Sequence, residues 1–120
     1  TVVWNPDAPG NLPYQPYADR VAQALGVKLL YFEVRRPQDL DLDALERTLA
    51  HALYVVPDPV VYQTLDALIR FARQRRLPGV CFAQYFARAG GLMSLTPDFA
   101  ERERALAELI DKVLRGANPA

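Results

Sequence analysis

Short apolar runs alternate along the chain with stretches in which apolar residues recur every three or four positions. The runs predict five β-strands, at residues 2–4, 27–34, 51–57, 80–82 and 92–95. The recurring spacing is that of helices with one apolar face. It predicts helices at about residues 14–25, 42–49, 59–76 and 96–115, and a short turn or helix at 84–89. The first helix is expected to bury the face formed by Tyr14, Tyr17, Ala18, Val21, Ala22 and Leu25.

The middle strand and the residues after it are the centre of this pattern. Residues 52–56 form an unbroken apolar run, which is typical of a strand covered on both faces. Pro57 ends the strand because proline has no N–H to donate to a sheet. Asp58 and Pro59 then indicate a helix start, with a capping carboxylate before proline at the first helical position. A buried strand, its carboxyl end and a helix N-terminus therefore adjoin.

This alternation of strands and helices predicts an α/β fold. We expect a doubly wound parallel sheet of about five strands, Rossmann- or flavodoxin-like, with helices on both sides. In such a sheet the loops that follow the strands share one edge, and ligands bind at that edge. The loops concerned are residues 5–11, 35–38, 57–59, 83–85 and 96–97.

Composition excludes some classes of protein. A hydrophobic content of 51% is too high for a disordered chain, and a formal net charge of zero gives no support for a nucleic-acid partner. The chain starts at Thr1 and its single methionine is Met93, so we expect a processed chain or a segment of a longer protein.

Residue types suited to catalysis are scarce. His51 opens a strand and is interpreted as a surface residue, whereas Cys81 lies in an apolar strand and is interpreted as an inert core thiol. No Cys/His cluster has the spacing of a metal site, and no glycine-rich loop has a nucleotide-binding pattern. We therefore expect no enzyme activity, no cofactor and no metal.

A phosphorelay receiver domain is an alternative with the same alternation of elements. Its phosphoacceptor aspartate follows the third strand, where this chain has Asp58. Receivers also need an acidic pair after the first strand and a lysine after the fifth. This chain has Trp4-Asn5 and Leu95-Thr96 at those places, which argues against the alternative.

Four strings of the sequence together point to a known family. They are Asn5-Pro6-Asp7-Ala8-Pro9, the segment Leu53–Pro59, the segment Ala89–Asp98 and the ending Asp111–Pro119. In this order they resemble the ABC-transporter substrate-binding proteins of the tryptophan/tyrosine type, which have the type I periplasmic-binding-protein fold. The resemblance covers nearly the whole chain and corresponds to the C-terminal lobe of a two-lobed protein.

The resemblance implies different structural roles for two parts of the chain. Residues 1–95 would form an α/β ligand-binding lobe, and residues 96–120 a crossover helix that packs on a first lobe outside this sequence. It implies capture of a small solute, such as an amino acid, in the cleft between lobes, for delivery to a membrane permease. The expected location is the periplasm or the outer face of a membrane. A ligand-sensing domain of the same fold in a signalling protein is the alternative.

Five residues at the predicted edge are ligand-binding candidates. Asp58 either caps the following helix or binds the ammonium group of an amino acid, as the resemblance implies. Asn5 and Asn11 either hydrogen-bond a ligand carboxylate or hold their own loop. Gln84 and Tyr85 follow the fourth strand, where an aromatic ring can stack on a ligand.

Two further features concern the end of the chain. Gly90 and Gly91 are predicted to permit the bend of a hinge. The last helix carries an apolar stripe, which predicts a homodimer in which residues from about 96 to 115 contact a second copy. The stripe consists of Phe99, Leu106, Leu109, Ile110, Val113 and Leu114.

Overall fold

The structure is a computed structural model that describes residues 1–11 and 13–118. Its strands are β1 (Val2–Trp4), β2 (Tyr31–Glu33), β3 (Leu53–Val55), β4 (Gly79–Cys81) and β5 (Met93–Ser94). Its helices are α1 (Tyr14–Ala24), α2 (Leu42–Arg47), α3 (Pro59–Tyr62), α4 (Leu65–Arg75), α5 (Gln84–Arg88) and α6 (Phe99–Leu114). Two 3₁₀ turns lie at Pro9–Asn11 and Pro37–Asp39.

The five strands form one parallel sheet in the order β2-β1-β3-β4-β5. β3 lies in the middle, where Val55 pairs with Val3 on one side and with Cys81 on the other. The predicted fold class and the central position of this strand are therefore confirmed. All the strand carboxyl ends meet at one edge of the sheet, called the carboxyl edge below.

The two faces of the sheet are covered unequally. On one face, side chains from β1, β3 and β4 pack against α2, α3, α4 and α5 in the main core. The predicted buried face of the third helix is found there, as Val61, Leu65, Leu68, Ile69 and Ala72 are all buried. On the other face a smaller cluster consists of Val2, Trp4 and Val56, with α1 contributing Tyr14.

The prediction for the first helix is wrong in its extent of burial. Of the expected face only Ala22 is buried, whereas Tyr17, Val21 and Leu25 are largely exposed. These side chains are exposed because no second helix lies beside α1 in the described part of the chain. The apolar side of α1 and the sheet beside it form an open groove.

Several predicted element boundaries need correction. The predicted helix 59–76 is divided into α3 and α4. Between them the N–H groups of Gln63 and Thr64 donate three residues back instead of four, and the Thr64 hydroxyl also donates to the Val61 carbonyl, at 2.8 Å. The last helix starts at Phe99 and not at Thr96. Asp98 is its cap, because its Oδ1 accepts from the N–H groups of Ala100 and Glu101. All strands after the first differ from the predicted ranges, and the predicted strand 27–34 shrinks to three residues.

Candidate functional site

The first loop at the carboxyl edge is held by two buried asparagines. The Asn5 carboxamide oxygen accepts from the N–H of Asp7 at 3.0 Å, and Asn11 Nδ2 donates to the Asn5 carbonyl at 3.0 Å. Both residues are less than a tenth exposed. In the structure, Asn5 and Asn11 therefore hold their own loop, which is one of the two roles predicted for them. A contact of either residue with a ligand carboxylate stays a prediction.

Asp58 is the cap of α3, as the sequence predicted. Its Oδ1 accepts from the N–H groups of Val60 and Val61, at 2.8 and 2.7 Å. Its Oδ2 is buried and has no hydrogen-bond partner among the described residues. Buried polar atoms are nearly always paired, and an ionised oxygen without a donor costs more free energy than a neutral one. Oδ1 thus caps α3, whereas Oδ2 lacks a donor.

A second buried polar atom without a partner lies at the end of the adjacent strand. The indole Nε1 of Trp4 has no acceptor among the described residues, although the side chain is 5% exposed. The ring packs on Tyr31, with centroids 5.4 Å apart, and on Val56 between β3 and Asp58. Trp4 is not among the candidate residues predicted from the sequence. Its position as the last residue of a strand was the available signal.

Gln84 and Tyr85 begin α5 on the same edge, and both are exposed. The Tyr85 hydroxyl donates to Asp66 Oδ1 at 2.6 Å, and this hydrogen bond raises the pKa of Tyr85. The hydroxyl is thereby anchored to α4, which fixes the ring. A fixed, exposed ring is suited to stacking, so the stacking prediction for Tyr85 stays open.

Arg35 is a charged residue at this edge that sequence analysis named only as part of a connecting loop. Its guanidinium forms an ion pair with Asp7 of the first loop and another with Glu33, at 2.9 Å. These hydrogen bonds raise the pKa of Arg35. Arg35 therefore ties the end of β2 to the loop that follows β1. The strand-end rule that selected the other candidates would have selected it too.

The two predicted hinge glycines have local packing roles. Gly90 has a φ of 106°, a conformation that favours glycine. Gly91 lies directly against the buried ring of Phe86, so that a Cβ there would meet ring atoms at 2.3 Å. A hinge function of this pair stays a prediction.

Two large cavities lie away from the carboxyl edge. One of about 850 Å³ opens at the amino ends of the strands, with Thr1, Lys28, Thr48 and His51 among its lining residues. The other, about 410 Å³, is the groove beside α1. The candidate residues of the carboxyl edge line neither cavity.

The described residues offer neither a metal site nor a membrane-spanning helix. Among residues 1–11 and 13–118, no group of His, Cys, Asp and Glu side chains is arranged to hold a metal ion. Within the same residues no helix has the length and apolar character needed to cross a membrane.

Comparison with known proteins confirms the fold. No family model matches the sequence, and no curated protein matches it. Among solved structures, a conserved domain protein from Vibrio cholerae O1 biovar El Tor aligns over 98% of this chain with a TM-score of 0.78 and 21% identity. An ABC domain from Streptococcus pneumoniae, solved in complex with L-Trp, aligns over 99% with a TM-score of 0.76 and 20% identity.

This chain spans only part of those proteins, covering 40% and 41% of their lengths. At such low identity the likeness shows the fold alone. That fold is the α/β lobe that the sequence predicted.

Proposed function

We propose that this chain is the C-terminal lobe of a solute-binding protein of an ABC-type uptake system. In this proposal the lobe binds a small molecule, such as an amino acid, at its carboxyl edge. The partners are the solute, a membrane permease and a second copy of the chain, and the location is periplasmic or outside a membrane. No catalytic step is involved. Support comes from the resemblance of the sequence strings and from the structural neighbour solved with L-Trp.

The observation that carries the proposal is the half-satisfied carboxylate of Asp58. Helix capping needs only one oxygen, and Oδ1 already accepts both N–H groups of α3. The remaining oxygen is buried without a donor at the edge where ligands bind in open α/β sheets. In this proposal a local movement exposes Oδ2 on binding, and a ligand ammonium group then supplies the missing donor and a compensating positive charge. Asp58 is therefore assigned to the ammonium end of the solute.

The other candidates provide the remaining contacts in this proposal. The exposed ring of Tyr85, held by Asp66, would stack on an apolar or aromatic side chain. Asn5 and Asn11 shape the loop that would face the ligand carboxylate. Lobe closure around the solute would then remove these groups from water.

A nuclear magnetic resonance titration of the ¹⁵N-labelled chain tests this assignment. L-Trp is added at millimolar concentration, and indole-3-propionic acid, which lacks the ammonium group, is the matched ligand control. We expect L-Trp to shift amide signals at Val60, Val61 and Gln84, and the control ligand to bind more weakly. Asp58→Asn should weaken L-Trp binding about tenfold, since a hydrogen bond to a charged group is worth roughly 1.5–3 kcal/mol.

The matched protein control is Asp98→Asn. Asp98 caps α6 with the same bond pattern as Asp58, but it is exposed. Because asparagine caps as well as aspartate, both variants should keep the stability of the parent chain. Equal L-Trp affinity of Asp58→Asn and Asp98→Asn, or equal binding of the two ligands, would contradict the role of Asp58.

A further inference from the structure

Tyr62 is an aromatic residue of α3 that lies one helical turn beyond Asp58. Its N–H donates to the Asp58 carbonyl at 2.8 Å, which closes the first turn of the helix. Side chains four residues apart on a helix are neighbours, with Cβ atoms about 5–6 Å apart, and they lean toward the helix N-terminus. The Tyr62 side chain is 52% exposed. It therefore stands beside the Asp58 side chain at the carboxyl edge, where a solute can reach it without any movement of the chain.

The buried side of α3 and α4 shows on which flank of these helices Tyr62 lies. Val61 and Leu65 are buried in the main core, one on each helix. Tyr62 and Asp66 each follow directly after one of them, about 100° further round a helix of 3.6 residues per turn. Because the buried row continues across the kink between the helices, Tyr62 and Asp66 lie on the same flank.

Tyr85 reaches this flank from α5. Its hydroxyl donates to Asp66 Oδ1 at 2.6 Å, and its ring is 44% exposed. The hydrogen bond to Asp66 raises the pKa of Tyr85, and the neighbouring Tyr62 adds to this shift. The rings of Tyr62 and Tyr85 thus lie near each other beside Asp58, and they are called the aromatic patch here.

Neither ring of the aromatic patch is part of the hydrophobic core. Tyr62 and Tyr85 belong neither to the main core nor to the smaller cluster, and no aromatic pair found among the described residues includes them. A single exposed apolar side chain needs no explanation. Two neighbouring rings beside a carboxylate oxygen without a donor are a combination suited to a small ligand. Tyrosine is favoured at binding surfaces because its ring supplies a large contact area with few rotatable bonds.

We propose that Tyr62 is a specificity-determining residue of the solute site, because its ring receives the planar side chain of a solute whose ammonium group is bound by Asp58. The inference rests on the proposed function and adds a residue to it. In an aromatic amino acid one methylene group separates the ring from the carbon that carries the ammonium group. The ring then falls roughly one helical turn from the nitrogen, which is the spacing of Tyr62 from Asp58. Tyr85 extends the patch for a larger ring system.

A comparison of two ligands on two variants tests the role of Tyr62. The ¹⁵N-labelled chain is titrated at millimolar concentration with L-Trp and with L-Leu, which has the same ammonium and carboxylate groups but no planar side chain. Tyr62→Ala should weaken L-Trp binding about three- to tenfold, the worth of an aromatic contact, and should change L-Leu binding much less. Tyr62→Phe keeps the ring, so it should keep the affinity for L-Trp.

The matched protein control is Tyr17→Ala. Tyr17 is also an exposed helical tyrosine, but α1 lies on the other face of the sheet. This variant should keep the parent affinity for both ligands. Both tyrosines are exposed and alanine favours helices, so both alanine variants should keep the parent amide spectrum away from the substituted residue.

Contacts between ligand and protein protons provide an independent measurement. With unlabelled L-Trp and a ¹³C-labelled chain, isotope-filtered nuclear Overhauser spectra should show contacts from the indole protons of the ligand to the Tyr62 ring. Contacts to Tyr17 in place of Tyr62 would place the solute on the other face of the sheet and overturn the inference.

Failure of the inference is distinguishable from failure of the proposed function. If L-Trp shifts no amide signal of the parent chain, the proposed function fails and the role of Tyr62 fails with it. If the parent chain binds L-Trp and Tyr62→Ala binds it equally well, the function stands and the role of Tyr62 is refuted. An equal loss of L-Trp and L-Leu in Tyr62→Ala would also refute it, because the ring would then not discriminate between side chains.

Discussion

At the scale of single residues, the most sharply constrained position is Gly91. A Cβ there would lie 2.3 Å from two ring atoms of Phe86 and 2.8 Å from its carbonyl oxygen. Phe86 is fully buried and cannot move aside, so Gly91→Ala should lower the free energy of unfolding by about 2–3 kcal/mol. Gly10→Ala is the matched control, because a Cβ at Gly10 meets nothing within 4 Å. Urea denaturation of both variants checks this, and equal midpoints would show that the Phe86 contact is not limiting.

At the scale of elements, the end of α4 is a strained cap. Arg76 follows the helix in the left-handed conformation, with φ 54° and ψ 33°, and the Leu77 N–H closes the turn on the Ala72 carbonyl at 2.8 Å. This conformation costs a non-glycine residue about 1–2 kcal/mol, so Arg76→Gly should raise the free energy of unfolding by about 1 kcal/mol. Gln74→Gly, inside the same last turn, should lower it by a similar amount. A Tm that falls in both variants would rule out the strained cap.

At the scale of the whole molecule, the proposed function makes the carboxyl edge one side of a cleft whose other side is a second lobe. A single lobe leaves much of a bound solute in water, so its affinity should be poor. We expect isothermal calorimetry of this chain with aromatic amino acids to detect no micromolar binding. Tight binding would contradict the view that the second side of the cleft is needed. The millimolar range of the proposed nuclear magnetic resonance titration follows from the same argument.

Much of the fold could be predicted from the sequence because it depends on neighbours along the chain. Short apolar runs located all five strands, apolar periodicity located the buried face of α4, and the Asp58-Pro59 pair marked the start of α3. The rule that strand ends share one edge selected residues that do follow β1, β3 and β4. The boundaries failed where a side chain changed the local bonding, as Thr64 does between α3 and α4.

For the candidate site, the sequence determined which residues stand at the carboxyl edge and that α6 has an apolar stripe. Only the tertiary structure decided what each one does there. The unpaired Asp58 oxygen, the ion pair of Arg35 with Asp7, and the contact of Gly91 with Phe86 depend on the distances between packed elements. The exposure of the groove beside α1 likewise depends on which other helices pack there. The periodicity within α1 shows only that one face of the helix is apolar. Local patterns fix the character of a surface, whereas the packing of distant segments determines what covers it.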